Sequence, residues 1–166
     1  MIRIAILTVS DKSARGERDD ASGPAIREVL AGQDVEFVDY RVVPDEQHDI
    51  AEALFHFSER HDVDVILTTG GTGLAPRDVT PQATLGSIEY EVPGIAEAMR
   101  AASLTVTPAA MLSRGVAGVR NRTLIVNLPG SPKAVRETLA VLVPALGHAV
   151  STLKGEVGEH SRPGQG

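Results

Sequence analysis

The stretch from Val65 to Asp78, VILTTGGTGLAPRD, constrains the fold of this 166-residue chain more than any other. Val65 to Thr69 is an unbroken apolar and β-branched run, the pattern of a buried strand. It runs into Gly70-Gly71-Thr72-Gly73, where missing Cβ atoms let the backbone turn sharply and come close to a ligand. The loop amides can then point together at an anion. A carboxylate, Asp78, follows, and Thr80-Pro81 supplies an N-cap and a first-turn proline to open a helix. Strand, glycine loop, acid and helix start form the layout of a phosphate site with a metal or positioning group beside it. The bland alternative is a glycine turn that only joins a strand to a helix. No GK[ST] follows the glycines and no GxGxxG is present, so neither a P-loop nor a dinucleotide fingerprint is read here.

The rest of the chain alternates strand and helix around that stretch. Ile2 to Ser10 has the β-rich, weakly alternating character of a central strand buried on both faces. Asp11 to Ser22 is polar, and a helix is expected from about Gly23 to Ala31. Val35 to Val43 reads as a second strand, ended by Pro44-Asp45, with a helix from there to about Arg60. After Thr80 a short helix reaches about Ile88, and Pro93-Gly94 starts another that runs to about Ser103. Leu112 to Arg120 and Thr123 to Leu128 read as two strands joined by Asn121-Arg122, a connection short enough to require an antiparallel pair. Ser131-Pro132 opens a last helix with an apolar stripe at Val135, Leu139, Leu142, Val143 and Leu146. The expected fold is α/β, in three layers: a mostly parallel central sheet with one antiparallel strand pair and helices on both faces. Residues 1–154 form a single domain in this reading, and 155–166, rich in Gly, Glu, His and Pro, a flexible tail.

Ligands of such a sheet bind beyond the C-terminal ends of its strands. The segments there are Ser10-Asp11-Lys12, Pro44-Asp45-Glu46, Gly70 to Asp78, and Pro129-Gly130-Ser131-Pro132-Lys133. Their meeting would create an anion and magnesium site from distant parts of the chain. Each residue also has a plainer reading. Asp45 can cap the helix that follows it, and Ser10 and Asp11 can be ordinary turn residues. Ser131 can be an N-cap, and Ser113-Arg114 can decorate a strand end. A net charge of −6 argues against nucleic acid or a membrane surface as a partner. The absence of cysteine removes disulfides and thiolate chemistry and fits a reducing cytoplasm. The histidines show no metal-ligand spacing.

LTVSD (Leu7 to Asp11), VVPDE (Val42 to Glu46), LTTGGTGLAPRDVTP (Leu67 to Pro81), TPAAMLSRGVAGVRNRTLIVNLPGSP (Thr107 to Pro132) and VPAL (Val143 to Leu146) occur in this order. Together they resemble the molybdopterin adenylyltransferases, the MogA/MoaB-like group that includes the G domains of gephyrin and of the plant Cnx proteins. The resemblance implies a cytoplasmic, usually trimeric enzyme of molybdenum cofactor biosynthesis. Such an enzyme uses Mg²⁺ and ATP to transfer AMP to the terminal phosphate of molybdopterin, releasing pyrophosphate and activating the pterin for a molybdate-insertase partner. Carried over by motif, Asp45 and Asp78 are the catalytic, magnesium-holding acids, and Gly70, Gly71, Thr72 and Gly73 the nucleotide and phosphate cradle. Molybdopterin contacts fall on Ser10, Asp11, Ser113, Arg114, Pro129, Gly130 and Ser131. A non-catalytic molybdopterin-binding carrier or scaffold of the same family is the alternative, and a phosphate-sensing interaction module a third class.

Overall fold

The structure is a computed structural model and describes residues 1–156. The strands are β1 (Ile2–Val9), β2 (Val35–Val43), β3 (Val65–Thr69), β4 (Tyr90–Glu91), β5 (Ala117–Arg120) and β6 (Thr123–Leu128). The helices are α1 (Asp11–Ala14), α2 (Ser22–Val29), α3 (Gln47–Ser58), α4 (Thr80–Ser87), α5 (Pro93–Leu104) and α6 (Pro132–Lys154), with a 3-10 turn at Pro108–Leu112. The strands form one six-stranded sheet in the order β2-β1-β3-β6-β5-β4. β2, β1, β3 and β6 run parallel, while β5 is antiparallel to β6, as the short Asn121-Arg122 connection requires.

The central strands are apolar throughout because both of their faces are covered. Ile4 and Ile6 of β1, Val65 and Leu67 of β3, and Leu124 and Val126 of β6 pack under α2, α5 and α6. Ala5, Leu7, Val9, Ile66 and Ile125 point the other way, against α3 and Ala83 of α4. The alternation of side chains along a strand thus feeds two separate cores, and a single polar face never develops.

Three local expectations are revised. The strand expected over Leu112–Arg120 begins only at Ala117. Thr107 caps the 3-10 turn that takes up Pro108–Leu112, its Oγ1 accepting from the amide of Ala109. The Arg114 amide then donates to the Thr72 carbonyl at 2.8 Å, tying this segment to the glycine loop rather than to β6. The polar stretch after β1 contains the one-turn helix α1, capped by Ser10, whose Oγ accepts from the Ser13 amide at 3.2 Å. A short edge strand, β4, adds a second antiparallel pairing along β5. At the other end, Gly155 adopts φ +72° and closes α6, its amide and that of Glu156 returning to the carbonyls of Thr152 and Ser151. The rest of the expected tail, from residue 157 on, lies outside the described residues.

Candidate functional site

The strand order reverses direction at β1, which has β2 on one side and β3 on the other. Connections leaving the two neighbours diverge there, and a crevice opens beyond the C-terminal ends of β1 and β3. Gly70 sits in it with φ +97°, and a Cβ on this residue would overlap the carbonyl oxygen of Val9 at the end of β1. Gly71 follows at φ +67°, where a Cβ would overlap Thr80 Oγ1 and stand 3.2 Å from Asp45 Oδ1. Both backbone angle and close approach demand glycine. Thr80 fixes the turn by donating from Oγ1 to the Gly70 carbonyl at 2.9 Å and from its amide to the Gly71 carbonyl at 3.1 Å. The second glycine turn is locked against the first: Gly70 donates to the Leu128 carbonyl at 3.3 Å, and Thr69 Oγ1 to the Pro129 carbonyl at 2.7 Å.

The acids arrive from the neighbouring turns. Asp45 does not cap α3, whose N-cap position is Glu46. Its Oδ2 instead accepts from the Asp11 amide at 2.9 Å, while the Asp45 amide donates to Asp11 Oδ1 at 3.0 Å. This reciprocal pair zips the ends of β1 and β2 together. Arg77 lies across it, donating to both carboxylate oxygens of Asp11 at 3.1 and 3.0 Å, with Nη1 2.8 Å from Glu46 Oε1. The carboxylate of Asp78, the next residue, accepts from the Ala75 amide at 3.2 Å.

The result is a cleft of about 510 Å³ lined by Ser10, Asp45, Gly70, Gly71, Asp78, Gly130 and Ser131, among others. All four strand-end segments therefore meet. Asp45 and Asp78 face the same space, as the catalytic reading requires. Ser131 also caps α6, its Oγ accepting from the Ala134 amide at 3.1 Å. Thr72, Gly73, Ser113 and Pro129 line a neighbouring, mostly apolar pocket of about 280 Å³. Asp11 lines neither and reaches the site through Asp45. The guanidinium of Arg114 is engaged by the loop itself, donating to the carbonyls of Gly73 at 2.8 Å and Asp78 at 2.6 Å and to Gln82 at 3.2 Å.

Electrostatics distinguish the two paired acids. Burial pushes the Asp45 carboxyl up, and the charges of Asp11 and Asp78 push it further, against the Asp11 amide and Arg77. Asp11 goes the other way, its carboxyl held down chiefly by the hydrogen bond from Arg77. Asp45 and Asp78 face one cleft while the nearby Arg77 is committed to Asp11 and Glu46, an arrangement that suits a divalent metal. Magnesium characteristically takes one or two carboxylates and completes its shell with substrate phosphates and water. No cluster of three or more potential protein ligands occurs among the described residues. The donor set fits magnesium brought in with a nucleotide rather than a closed protein cage.

Residues outside the expected set also face the cleft. Asp20 accepts from Thr8 Oγ1, Ser22, the Gly23 amide and, at 2.6 Å, the Tyr40 hydroxyl. Burial pushes its carboxyl up, but these donors outweigh it and hold the group below its ordinary value, while the Tyr40 phenol is pushed up to about 12. Arg18 is a further charged addition, beside Asp19. Its charge lay in a polar stretch with no periodicity to give its direction. Lys12 and Lys133, which the strand-end segments also offered, are not among the lining residues. Asn127 supports the neighbouring pocket, its amide donating to Thr68 and Thr84 hydroxyls, both at 2.9 Å. A polar residue inside the apolar run TLIVNL was its one signal. A larger cavity of about 850 Å³ lies at the opposite rim, but its buried acid, Asp64, is already paired with Arg3 and Lys154. The smaller cleft, with its glycine turns and under-compensated acids, is the better candidate.

The chain is similar to known proteins over most of its length. Residues 5–148 match the family described as "Probable molybdopterin binding domain". A molybdopterin adenylyltransferase of Helicobacter pylori is 43% identical over 157 residues, covering 93% of this chain and 89% of the relative. One from Escherichia coli K12 is 42% identical over 151 residues, covering 90% and 77%. The crystal structure of the molybdopterin biosynthesis enzyme MoaB from Thermus thermophilus superposes with a TM-score of 0.89 at 57% identity, over 93% of this chain and 98% of that one. With the family match spanning residues 5–148 and the fold shared over most of the chain, one conclusion follows: this chain belongs to the molybdopterin-binding domain family of MogA and MoaB.

Proposed function

We propose that this chain is a molybdopterin adenylyltransferase that transfers AMP from ATP to the terminal phosphate of molybdopterin. An oxygen of that phosphate attacks the α-phosphorus of ATP, the bond to the β-phosphate breaks, and pyrophosphate leaves with the electron pair. The activated pterin then passes to a partner that inserts molybdate. The observation that carries the reading is the convergence of Asp45 and Asp78 on one cleft floored by the Gly70-Gly71 and Gly130 turns. Relatives bearing that enzymatic name across most of the chain support it.

Joining two phosphates sets like charges against each other, so positioning and charge neutralisation do most of the work and no protein nucleophile is needed. The glycine turns let the nucleotide approach the backbone closely. Asp45 and Asp78 are the residues that would hold magnesium, which would supply positive charge to neutralise the phosphates. Asp11 fixes Asp45, and Arg114 fixes the loop of Asp78. Ser113 and Pro129 hold the pterin in the apolar pocket beside the cleft, where a flat ring system buries its faces, and Thr72 and Gly73, expected in the nucleotide cradle, form part of that pocket's wall instead.

The active form is a cytoplasmic homotrimer in this reading. Leu104, Val106, Met111 and Leu112 are 45–63% exposed, more apolar surface in one short stretch than a solitary chain needs. No helix among the described residues is long and apolar enough to cross a membrane. The test is incubation with ATP, Mg²⁺ and molybdopterin. Pyrophosphate release by the wild type, and its loss in Asp45→Asn and Asp78→Asn with an unchanged circular dichroism spectrum, is the expected result. Pterin binding without release would make the protein a carrier.

A further inference from the structure

The acids of the cleft outnumber its cations, yet its proposed substrates are polyanions. Asp19, Asp20, Asp45 and Asp78 all line it, and Arg18 is its one lysine or arginine among the described residues. Other arginines near the strand ends are committed. Arg77 is bound to Asp11 and Glu46, Arg114 to Gly73, Asp78 and Gln82, and Arg15 to Glu17. Among the described residues Arg18 makes a single hydrogen bond, from Nη2 to Ser10 Oγ at 3.3 Å, and no ion pair. A guanidinium has five N–H donors arranged in a fork that matches phosphate oxygens in pairs. Nearly all of that capacity is unused.

Its placement is not accidental. The bond to Ser10 anchors the side chain at the C-terminal end of β1, beside the crevice, while Ser10 Oγ is itself held by the Ser13 amide. The loop that carries Arg18 starts at Gly16 with φ +73° and ends where Asp20 is fixed by Thr8 and Tyr40. Arg18 is thus held at both sides of its loop while its fork remains available.

We propose that Arg18 is a phosphate-binding residue of this site, donating two N–H bonds to a phosphate group of the bound substrate. The inference rests on the adenylyl-transfer reading for which phosphates those are: the triphosphate of ATP or the terminal phosphate of molybdopterin. Without Arg18 the cleft brings no positive charge of its own to either. Lysine at this position supplies the charge without the paired geometry, so it restores only part of the binding.

The test uses inorganic pyrophosphate with Mg²⁺ as a probe, titrated calorimetrically into wild type, Arg18→Ala and Arg18→Lys, together with steady-state kinetics. Pyrophosphate affinity falls at least tenfold in Arg18→Ala and by less in Arg18→Lys. A rise in the KM for ATP alone assigns the arginine to the nucleotide, and a rise for molybdopterin alone assigns it to the pterin phosphate. Pyrophosphate affinity and both KM values within twofold of wild type in Arg18→Ala overturn the inference. The exposed site of Arg18 keeps these variants folded, which thermal unfolding checks directly. Wild type that binds pyrophosphate through Arg18 yet releases none from ATP keeps this inference and removes the adenylyl-transfer reading.

Discussion

Replacing Gly70 by alanine separates the demands of the site from those of ordinary secondary structure. At φ +97° an L-residue pays for the left-handed backbone, roughly 1–2 kcal/mol. The new Cβ also overlaps the Val9 carbonyl, which is backbone of a central strand and cannot swing aside. Forcing such a contact apart costs about 1–3 kcal/mol more. The sum, roughly 2–5 kcal/mol, corresponds to a fall in Tm of about 4–20 °C for a chain of this length. Gly147 provides the control, since it lies within α6, where a Cβ meets nothing within 4 Å. Alanine there removes backbone entropy from the unfolded chain and should add about 0.5–1 kcal/mol. The same one-carbon change therefore destabilises at one position and stabilises at the other. Scanning calorimetry of both variants, with pyrophosphate release measured at a temperature where each is folded, tests the argument. Gly70→Ala should lose most of its turnover even when folded, because the floor of the cleft has moved. A Gly70→Ala protein that melts within about 2 °C of wild type would refute the reasoning.

Other perturbations follow from the carboxylates and their partners. Asp45→Asn should abolish turnover yet melt at or above the wild-type temperature at neutral pH. The folded carboxyl is pushed up by burial and by Asp11 and Asp78, so its charge opposes folding until a cation arrives; differential scanning fluorimetry without ligand checks the direction. Asp64→Asn should cost about 2–4 kcal/mol at neutral pH by unpairing Arg3 and Lys154. Burial pushes the Asp64 carboxyl up, but bonds from Arg3 and Lys154 hold it below its ordinary value. The stability it contributes is then complete above the unfolded carboxyl's pKa, about 3.9, and is lost as pH falls through the lower folded value. Urea midpoints of wild type and variant should converge as acidity enters that window, and a constant gap would contradict the assignment. Arg114→Ala should speed amide exchange across residues 72–79, measured by hydrogen–deuterium exchange, because two of its side-chain bonds hold that loop and a third ties it to Gln82 of α4.

The parts of the fold that read directly from the sequence are those where local pattern and tertiary burial agree. β1, β3 and β6 are apolar on both faces because both are covered, and no competing signal interrupts them. The start of α6 is marked by Ser131-Pro132, and Pro81 falls in the first turn of α4, but Thr80 is not the expected cap: Val79 holds the N-cap position, and the Thr80 hydroxyl is drawn to the Gly70 carbonyl instead. Disagreement appears where a distant partner decides. Leu112 to Gly115 look like strand, but Arg114 is bound to the glycine loop, and bonding to β6 begins only at Val116, whose carbonyl accepts from the Asn127 amide. α1 has no buried residue and hence no periodicity to read. β4 is two exposed residues on a sheet edge.

The site shows the same division more sharply. Glycines that need positive φ and close approach announce themselves, since few other residues serve there. Charged side chains do not, because the same residue type can hold a loop, neutralise an acid or wait for a ligand. Arg77, Arg114 and Arg18 are indistinguishable as letters, and their difference lies in how many donors the folded chain has already used. Likewise Asp45 could have capped a helix. The parallel pairing of β1 with β2 brings Asp11 opposite it, so that two backbone amides and two carboxylates satisfy one another and the acid is left turned toward the cleft. The functional meaning of these residues is therefore set by strand order, which decides which turns become neighbours, and only then by their own chemistry.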